Sequence, residues 1–452
     1  MSDPSLPVRS SLRPQPCPSA RSTAAEVRSG GVSVSEVAER TLAAIDAHEP
    51  DLQAFVALDH ALVRAQAERL DAALADGGPL GPLHGVPFAI KDIADTFDQP
   101  TAYGSPIYAD HRPEQDATVV DRLRRAGALI VGKTVTTEFA CFSPGPTRNP
   151  HDLSRTPGGS SSGSAALVGA GIVPLALATQ TAGSIIRPAA FCGAVGVKPT
   201  FGQVSRDRML HIAPSLDTIG VIADDVHDAA LALGVMAGDP HRFDPDGSDV
   251  AAVATAPLRL GWWPGVAPLE LDAGVGALMR GAVAALDDAH GIMLEDVTLP
   301  DWFGELIGAQ VTIMRSETIR HLEWEIREHP GLVSDAMHAF LAPGHDADGV
   351  RRGHRLRDRA LGVLHDVFAR YDAIITPSAA GEPPLADTTG DPAFCRIWTL
   401  LGTPAVTIPG LRGPQGGPLG IQIVGSRDDD ARTLAVAARV ADAMRVAGLT
   451  LT

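Results

Sequence analysis

The sequence predicts an α/β fold in which helices cover a single large, mixed and mostly parallel twisted sheet. Short β-like runs alternate with helical stretches such as Asp116–Ala126 along much of the chain. The β-like runs are Phe88–Ile93, Ala128–Val131, Leu258–Trp263, Asp372–Thr376, Pro404–Ile408 and Leu419–Val424. Near the N-terminus, Ser33 and Glu36 have the spacing of a capping box ahead of apolar residues at helical intervals. Alternating strands and helices of this kind are typical of α/β folds.

One domain is expected over residues 21–452, preceded by a flexible tail over residues 1–20. The tail is rich in proline and serine and lacks the apolar core of a secretory signal. A helical insertion is predicted at about 265–370, between a loop-rich segment and the point where the sheet resumes. Because no run of 18 apolar residues occurs, no membrane-spanning segment is expected, and the predicted location is the cytoplasm.

The composition is that of an acidic globular protein. The chain has 37 Lys and Arg against 54 Asp and Glu, which gives a formal net charge of −17. This negative charge repels the phosphate backbones of nucleic acids, so no nucleic-acid partner is expected. The four cysteines contain no CxxC pair, so neither a disulfide framework nor a zinc site is indicated. A monomer or a homodimer is expected.

The segment PGGSSSGSAA, at residues 157–166, is the most unusual stretch of the chain. It runs directly into the apolar sequence AALVGAGIVPLALAT, which a flexible linker would not do. One interpretation is a tightly packed backbone that presents hydroxyl groups at the start of a helix. The other is an ordinary Gly/Ser loop, and this segment alone does not decide between them.

Three segments together resemble the motifs of the amidase signature family. They are GVPFAIKD at 85–92, GGSSSGS at 158–164 and TQTAGSIIRPA at 179–189, against family forms GxPxxxKD, GGSSGGS and TDTGGSIRxPA. The segments GVKPTFG, TPAVTIPG and GGPLGIQIVG extend the resemblance over most of the chain. The resemblance implies the amidase signature fold and a serine hydrolase that cleaves C–N bonds.

The residue types in these motifs suit acyl transfer. A serine hydroxyl is a poor nucleophile and needs a base, and a lysine can serve when burial lowers its pKa. Lys91 lies on an apolar strand that would supply such burial. The resemblance implies that Lys91 takes a proton from Ser160, which takes one from Ser184. Ser184 then attacks the substrate carbonyl and forms an acyl-enzyme.

The resemblance also implies the groups around this nucleophile. A cis peptide bond is expected between Gly159 and Ser160. An oxyanion hole is expected from backbone N–H groups of Thr181, Ala182 and Gly183, a role worth about 3 kcal/mol per donor. No metal or organic cofactor is expected, and water is the second reactant.

The chain departs from the family pattern at three positions. Ser162 stands in place of a glycine, Gln180 in place of an aspartate, and Arg187 lies one position late. Either Gln180 and Arg187 pair behind the oxyanion loop, or the carbonyl pocket is altered. Both interpretations affect the choice of substrate rather than the mechanism.

A hydrophobic small-molecule substrate is predicted: an amide, an aryl amide or anilide, an ester or a carbamate. The predicted substrate-binding residues are Phe139, Ala140, Cys141, Phe142, Gly159, Gln180, Leu210 and Ile212. Ordinary core packing would explain the apolar members of this set equally well.

Three alternatives remain open. The chain could be the amidase subunit of a tRNA-dependent amidotransferase, although its acidic balance and the TQTAGSIIRP variant argue against this. Residues 127–134, GALIVGKT, match a phosphate-binding P-loop, but ALIV is itself strand-like. Ser161 fits the GxSxG pattern of a nucleophile elbow, but the preceding NPHDLSRT is not a strand.

Overall fold

The structure is a computed structural model that describes residues 12, 17–286 and 291–450. Most of the predicted tail, residues 1–11 and 13–16, lies outside the described residues. Within that tail Leu12 is buried, and its backbone N–H donates to the carbonyl of Pro150 at 2.9 Å. The end of the predicted tail is helical, because the first helix begins at Ala20.

The described residues form eleven strands. They are β1 (Phe55–Ala57), β2 (Pro87–Lys91), β3 (Leu129–Thr134), β4 (Leu175–Gln180), β5 (Val195–Lys198), β6 (Thr218–Ala223), β7 (Leu258–Trp262), β8 (Ile292–Asp296), β9 (Ala373–Pro377), β10 (Ala405–Arg412) and β11 (Pro418–Val424). All belong to one sheet, in the order β1-β3-β2-β4-β6-β5-β10-β11-β9-β7-β8.

Fifteen α-helices surround this sheet in the described part of the chain. They are α1 (Ala20–Arg28), α2 (Val34–Leu52), α3 (His60–Ala75), α4 (Thr118–Arg125), α5 (Ser162–Gly169), α6 (Ile186–Phe191), α7 (Val226–Ala237), α8 (Ala251–Thr255), α9 (Val275–Ala284), α10 (Glu305–His321), α11 (Glu323–Glu328), α12 (Asp335–Leu341), α13 (Ala347–Phe368), α14 (Ala393–Leu401) and α15 (Asp430–Val446). None is both long and apolar enough to cross a membrane.

The prediction of one mixed sheet covered by helices is confirmed, but the expectation that the sheet is mostly parallel is wrong. Among the described strands, β3–β2, β2–β4, β9–β7 and β7–β8 pair in parallel, and the other six pairings are antiparallel. β10 and β11 are joined by only five residues, which forces an antiparallel pair. β5 and β6, which the sequence did not reveal, add three further antiparallel pairings.

Local signals placed the predicted elements closely. The strand predicted at Phe88–Ile93 is β2, and the helix predicted at Asp116–Ala126 is α4. The capping box is present: the Ser33 hydroxyl accepts from the Glu36 N–H at 3.1 Å, and the Glu36 carboxylate accepts from the Ser33 N–H at 2.8 Å. Residues 265–370 contain α9 to α13, but β8 interrupts them and pairs with β7. Treating this segment as an insertion stays a prediction.

The sheet has a packed layer on each face. Along β3, Leu129 and Val131 join one buried cluster, with α2 and α5, while Ile130 joins the other, with α4 and α7. Along β4, Ala176 belongs to the cluster with α2 and α5, and Leu177 belongs to the cluster with α4 and α7. Because successive strand residues point to opposite faces, this division places helices on both sides of β3 and β4. The centre of the sheet, which carries the candidate site, is thereby removed from solvent.

Candidate active site

The first element of the site is the lysine at the end of β2. The run PFAIK is completely buried, and β2 pairs in parallel with β4. The carboxyl ends of parallel strands meet at the same edge of a sheet, so Lys91 lies near Thr179. The Lys91 Nζ is 2.7 Å from the Ser160 Oγ and 2.8 Å from the Thr179 Oγ1. Both partners are neutral hydroxyl groups.

The surroundings of Lys91 favour its neutral form. Burial lowers the pKa of Lys91 from its ordinary value to about 7, and the charge of Asp217 opposes this shift only in part. In a large fraction of the protein molecules, Lys91 is therefore an uncharged amine near neutral pH. Such an amine can accept a proton from the Ser160 hydroxyl, which lies within hydrogen-bonding distance.

The second element is the turn that precedes α5. The peptide bond between Gly159 and Ser160 is cis. The guanidinium Nη2 of Arg187 donates to the Gly159 carbonyl at 2.7 Å, and the Ser162 hydroxyl donates to the Gly158 carbonyl at 2.8 Å. These bonds fix the backbone on both sides of Ser160. Arg187, one position later than in the family pattern, is thus a support for the serine turn.

The third element is the loop that joins β4 to α6 and carries Ser184. The Gln180 Oε1 accepts from the backbone N–H groups of Ile185 at 2.9 Å and Ile186 at 3.1 Å. The Gln180 Nε2 donates to the Thr399 hydroxyl at 2.9 Å. The pairing of Gln180 with Arg187 considered from the sequence is therefore wrong. Gln180 instead ties the start of the loop to the two residues that follow Ser184.

The carbonyl groups of this loop are held by helices distant in sequence. The Gln310 side chain on α10 donates to the Thr181 carbonyl at 2.8 Å, and the Thr399 hydroxyl on α14 donates to the Ala182 carbonyl at 2.8 Å. Within the described residues, no hydrogen-bond acceptor is found for the backbone N–H groups of Ala182, Gly183 and Ser184. These three N–H groups are free to bind an oxygen atom of a ligand.

Ser160 and Ser184 line one narrow cavity of about 40 Å³. Of the predicted substrate-binding residues, the structure places Ala140, Cys141 and Phe142 in its wall. Met314 on α10 and the side chains of Arg187 and Arg396 also line this cavity.

The other predicted substrate-binding residues lie elsewhere. Phe139 is fully buried, Gln180 is fully buried behind the loop, and Gly159 lies against Thr389. Leu210 and Ile212 line a separate small cavity that meets the first at Thr181. Their part in substrate binding stays a prediction, as do the catalytic roles assigned above.

Five residues of the site were not found by sequence reasoning: Thr179, Asp217, Gln310, Arg396 and Thr399. Asp217 accepts from the Thr181 hydroxyl at 2.5 Å, and burial raises the pKa of Asp217 to about 6. Only Thr179 belongs to a quoted motif. The others reach the site from β6, α10 or α14 or from the residues next to them, and nothing in their local sequence marks them.

The structure also places the residues of the two alternative motifs. Lys133, the lysine of the P-loop-like segment, is buried within β3 and forms an ion pair with Asp92 at 3.0 Å. The segment before it is a strand rather than a phosphate-binding loop. The Ser161 hydroxyl is buried and bonded to the backbone of Thr179, away from the cavity. Neither arrangement leaves the residue accessible to a ligand.

The protein is thus a helix-covered α/β fold whose candidate site brings together a buried lysine, a serine turn and a second serine beside free N–H groups. The chain belongs to the amidase family, whose model matches residues 36–434. It is therefore an amidase-family enzyme that cleaves amide C–N bonds.

The chain is similar to an amidotransferase subunit and to solved structures of amidases. A glutamyl-tRNA(Gln) amidotransferase subunit of Anaeromyxobacter sp. is 38% identical, with 93% of this chain and 94% of the relative covered. Among solved structures, the peptide amidase of Stenotrophomonas maltophilia is 28% identical, with a TM-score of 0.80 over 95% of this chain and 96% of that one. A bacterial aryl acylamidase is 25% identical, with a TM-score of 0.84 over 97% and 98%.

Proposed function

We propose that this enzyme cleaves amides through an acyl-enzyme on Ser184, with Ser160 as proton relay and Lys91 as base. The observation that carries the proposal is the hydrogen bond of 2.7 Å between Ser160 and a fully buried lysine whose pKa lies at about 7. A lysine with an ordinary pKa would hold its proton and could not activate a hydroxyl group.

The reaction has two stages. In the first, the Ser184 oxygen bonds to the substrate carbonyl carbon while its proton passes to Ser160 and the Ser160 proton passes to Lys91. The N–H groups of Ala182, Gly183 and Ser184 stabilise the carbonyl oxygen as it gains charge. The C–N bond then breaks, and the protonated lysine returns its proton through Ser160 to the departing nitrogen. In the second stage water attacks the ester and releases the acid and Ser184.

The same machinery accepts aryl esters and carbamates, because each presents a carbonyl group to the same N–H donors. The decisive test is amide hydrolysis by Ser184→Ala, Ser160→Ala and Lys91→Ala. Each variant should lose at least about a thousandfold in kcat, in line with triad replacements in other serine hydrolases. Normal turnover by a folded Ser184→Ala enzyme would overturn the proposal.

A second candidate is the amidase subunit of a tRNA-dependent amidotransferase, and the named relatives favour it over a free-standing amidase. The supporting observation is the identity of 38% over nearly the whole length of both chains. In this case the released nitrogen leaves as ammonia for a partner protein to use.

The purified chain distinguishes the two candidates. A free-standing amidase hydrolyses simple aryl amides by itself. An amidotransferase subunit releases ammonia efficiently only in the presence of its partner proteins and charged tRNA. The measurement is ammonia or arylamine release by the chain alone and in the reconstituted mixture.

A further inference from the structure

The wall of the candidate active-site cavity contains a buried arginine that has no anionic partner. Arg396, on α14, is only 9% exposed and lines the same cavity as Ser184. Its guanidinium Nη1 donates to the amide oxygen of Gln310. No carboxylate of a described residue lies within 4.0 Å of Arg396. The charge of Asp391, an exposed residue, acts on it only from a distance.

A second guanidinium group, that of Arg187, lines the same cavity, and both of its terminal NH2 groups are already bonded, although its buried Nε has no hydrogen-bond partner among the described residues. Arg187 donates to the carbonyls of Gly390 and Gly159 at 2.8 and 2.7 Å, and to the Thr389 hydroxyl at 3.3 Å. All these acceptors are neutral. Two buried cations, Arg187 and Arg396, thus line the same cavity as Ser184, although the net charge of the protein is −17.

Burial of an unpaired charge is expensive, and arginine does not escape the cost by losing its proton. Buried charges in proteins are ordinarily paired. The missing partner of Arg396 is therefore expected to come from outside the chain. Because the cavity is where a substrate must reach Ser184, the substrate itself is the natural source of the negative charge.

We propose that Arg396 binds a carboxylate of the substrate, so that this enzyme prefers amides that carry a carboxylate group close to the cleaved bond. The proposal rests on the function proposed above and names its substrate class. A guanidinium group offers a planar pair of N–H donors that matches a carboxylate. Arg396 has such donors to spare, whereas Arg187 is committed to the turn that carries Ser160. This proposal differs from the sequence-based prediction of a hydrophobic substrate in requiring an anionic group.

The test compares two amides of similar length, glutarate monoamide and hexanamide, by ammonia release. The wild-type enzyme should show a kcat/KM at least about tenfold higher for glutarate monoamide, as expected for a hydrogen bond between charged groups. In Arg396→Gln this preference should shrink at least about tenfold. The preference is the readout, because a merely structural role of Arg396 would lower both rates and leave their ratio unchanged.

Gln310→Leu is the matched control. Gln310 bonds both Arg396 and the Thr181 carbonyl, so its loss should slow both amides while the preference for glutarate monoamide persists. An equal loss for both amides in Arg396→Gln, or a wild-type enzyme without the preference, overturns the proposal.

A binding measurement separates this proposal from the catalytic one. In the Ser184→Ala background, calorimetry should show glutarate monoamide binding at least about tenfold more tightly than in Ser184→Ala/Arg396→Gln. Because this measurement does not require turnover, it tests the role of Arg396 whether or not Ser184 is the nucleophile. Equal affinity in the two variants would contradict the role of Arg396.

Discussion

The chemistry of the site depends on one side chain whose charged form is disfavoured. Lys91 has only hydroxyl partners, from Ser160 and Thr179, and no carboxylate of a described residue pairs with it. Its low pKa is therefore a consequence of burial at the end of β2 rather than of any repelling neighbour. The motif locates the lysine, and the surrounding strands make it a base.

The pH dependence of the reaction follows from this pKa. Lys91 acts as a base only when it is unprotonated, so kcat/KM should rise with pH, with an inflection near pH 7 and a roughly tenfold fall per unit below it. Asp217, with a pKa of about 6, is a neighbouring group that also titrates within this pH range. In Asp217→Asn the inflection should persist but move to lower pH, because the charge of Asp217 raises the pKa of Lys91. A flat profile from pH 5 to 9 would argue against Lys91 as the base.

Gln180 should act on turnover by holding the nucleophile loop. Gln180→Ala leaves the buried N–H groups of Ile185 and Ile186 without an acceptor, which costs about 1–3 kcal/mol for each. We expect kcat to fall about 10- to 100-fold with a smaller change in KM. Gln180→Glu, protonated in this buried position, keeps the acceptor and should lose less. Equal losses in the two variants would exclude the positioning role.

At the scale of elements, the two serines are brought together by α5 and α6. α5 follows the Ser160 turn, α6 follows the Ser184 loop, and the two helices are in contact. Gly169 at the end of α5 makes this possible, since a Cβ there would lie 2.1 Å from the Cys192 carbonyl oxygen. The small residue at this position therefore serves the packing of α5 against α6.

Gly169→Ala should destabilise the fold by about 1–3 kcal/mol, as overpacked cores do, and lower kcat by moving α5. The matched control is Gly362→Ala on α13, where the added Cβ meets nothing within 4 Å. That change should leave stability unaltered or raise it by up to about 1 kcal/mol. Denaturant midpoints measure both. Equal midpoints for the two variants would refute the packing argument.

The ion pair between Lys133 and Asp92 joins β3 to the residue after β2. Lys133→Met should destabilise the fold by about 3–5 kcal/mol, because it leaves a buried carboxylate unpaired. The double variant Lys133→Met/Asp92→Leu should recover a large part of this loss. Urea unfolding measures the difference. ATP binding that depends on Lys133 would instead support the interpretation of residues 127–134 as a phosphate-binding loop.

For the whole molecule, local sequence was sufficient where the signal is local. The capping box at Ser33 and strand β2 could be predicted because each is encoded by residues adjacent in the chain. β5 and β6 could not, because short apolar runs become antiparallel strands only through distant partners. The roles of Gln310, Arg396 and Thr399 could not be predicted either, because these residues lie more than 120 positions away in the chain from the Thr181–Ser184 loop that they approach.

The most direct test of the central claim is the site at which a fluorophosphonate attaches to the intact protein. Peptide mass spectrometry should find the adduct on Ser184, absent from Ser184→Ala and formed far more slowly in Lys91→Ala and Ser160→Ala. An adduct on Ser161, or unchanged labelling of Ser184→Ala, would contradict the assignment of Ser184 as the nucleophile.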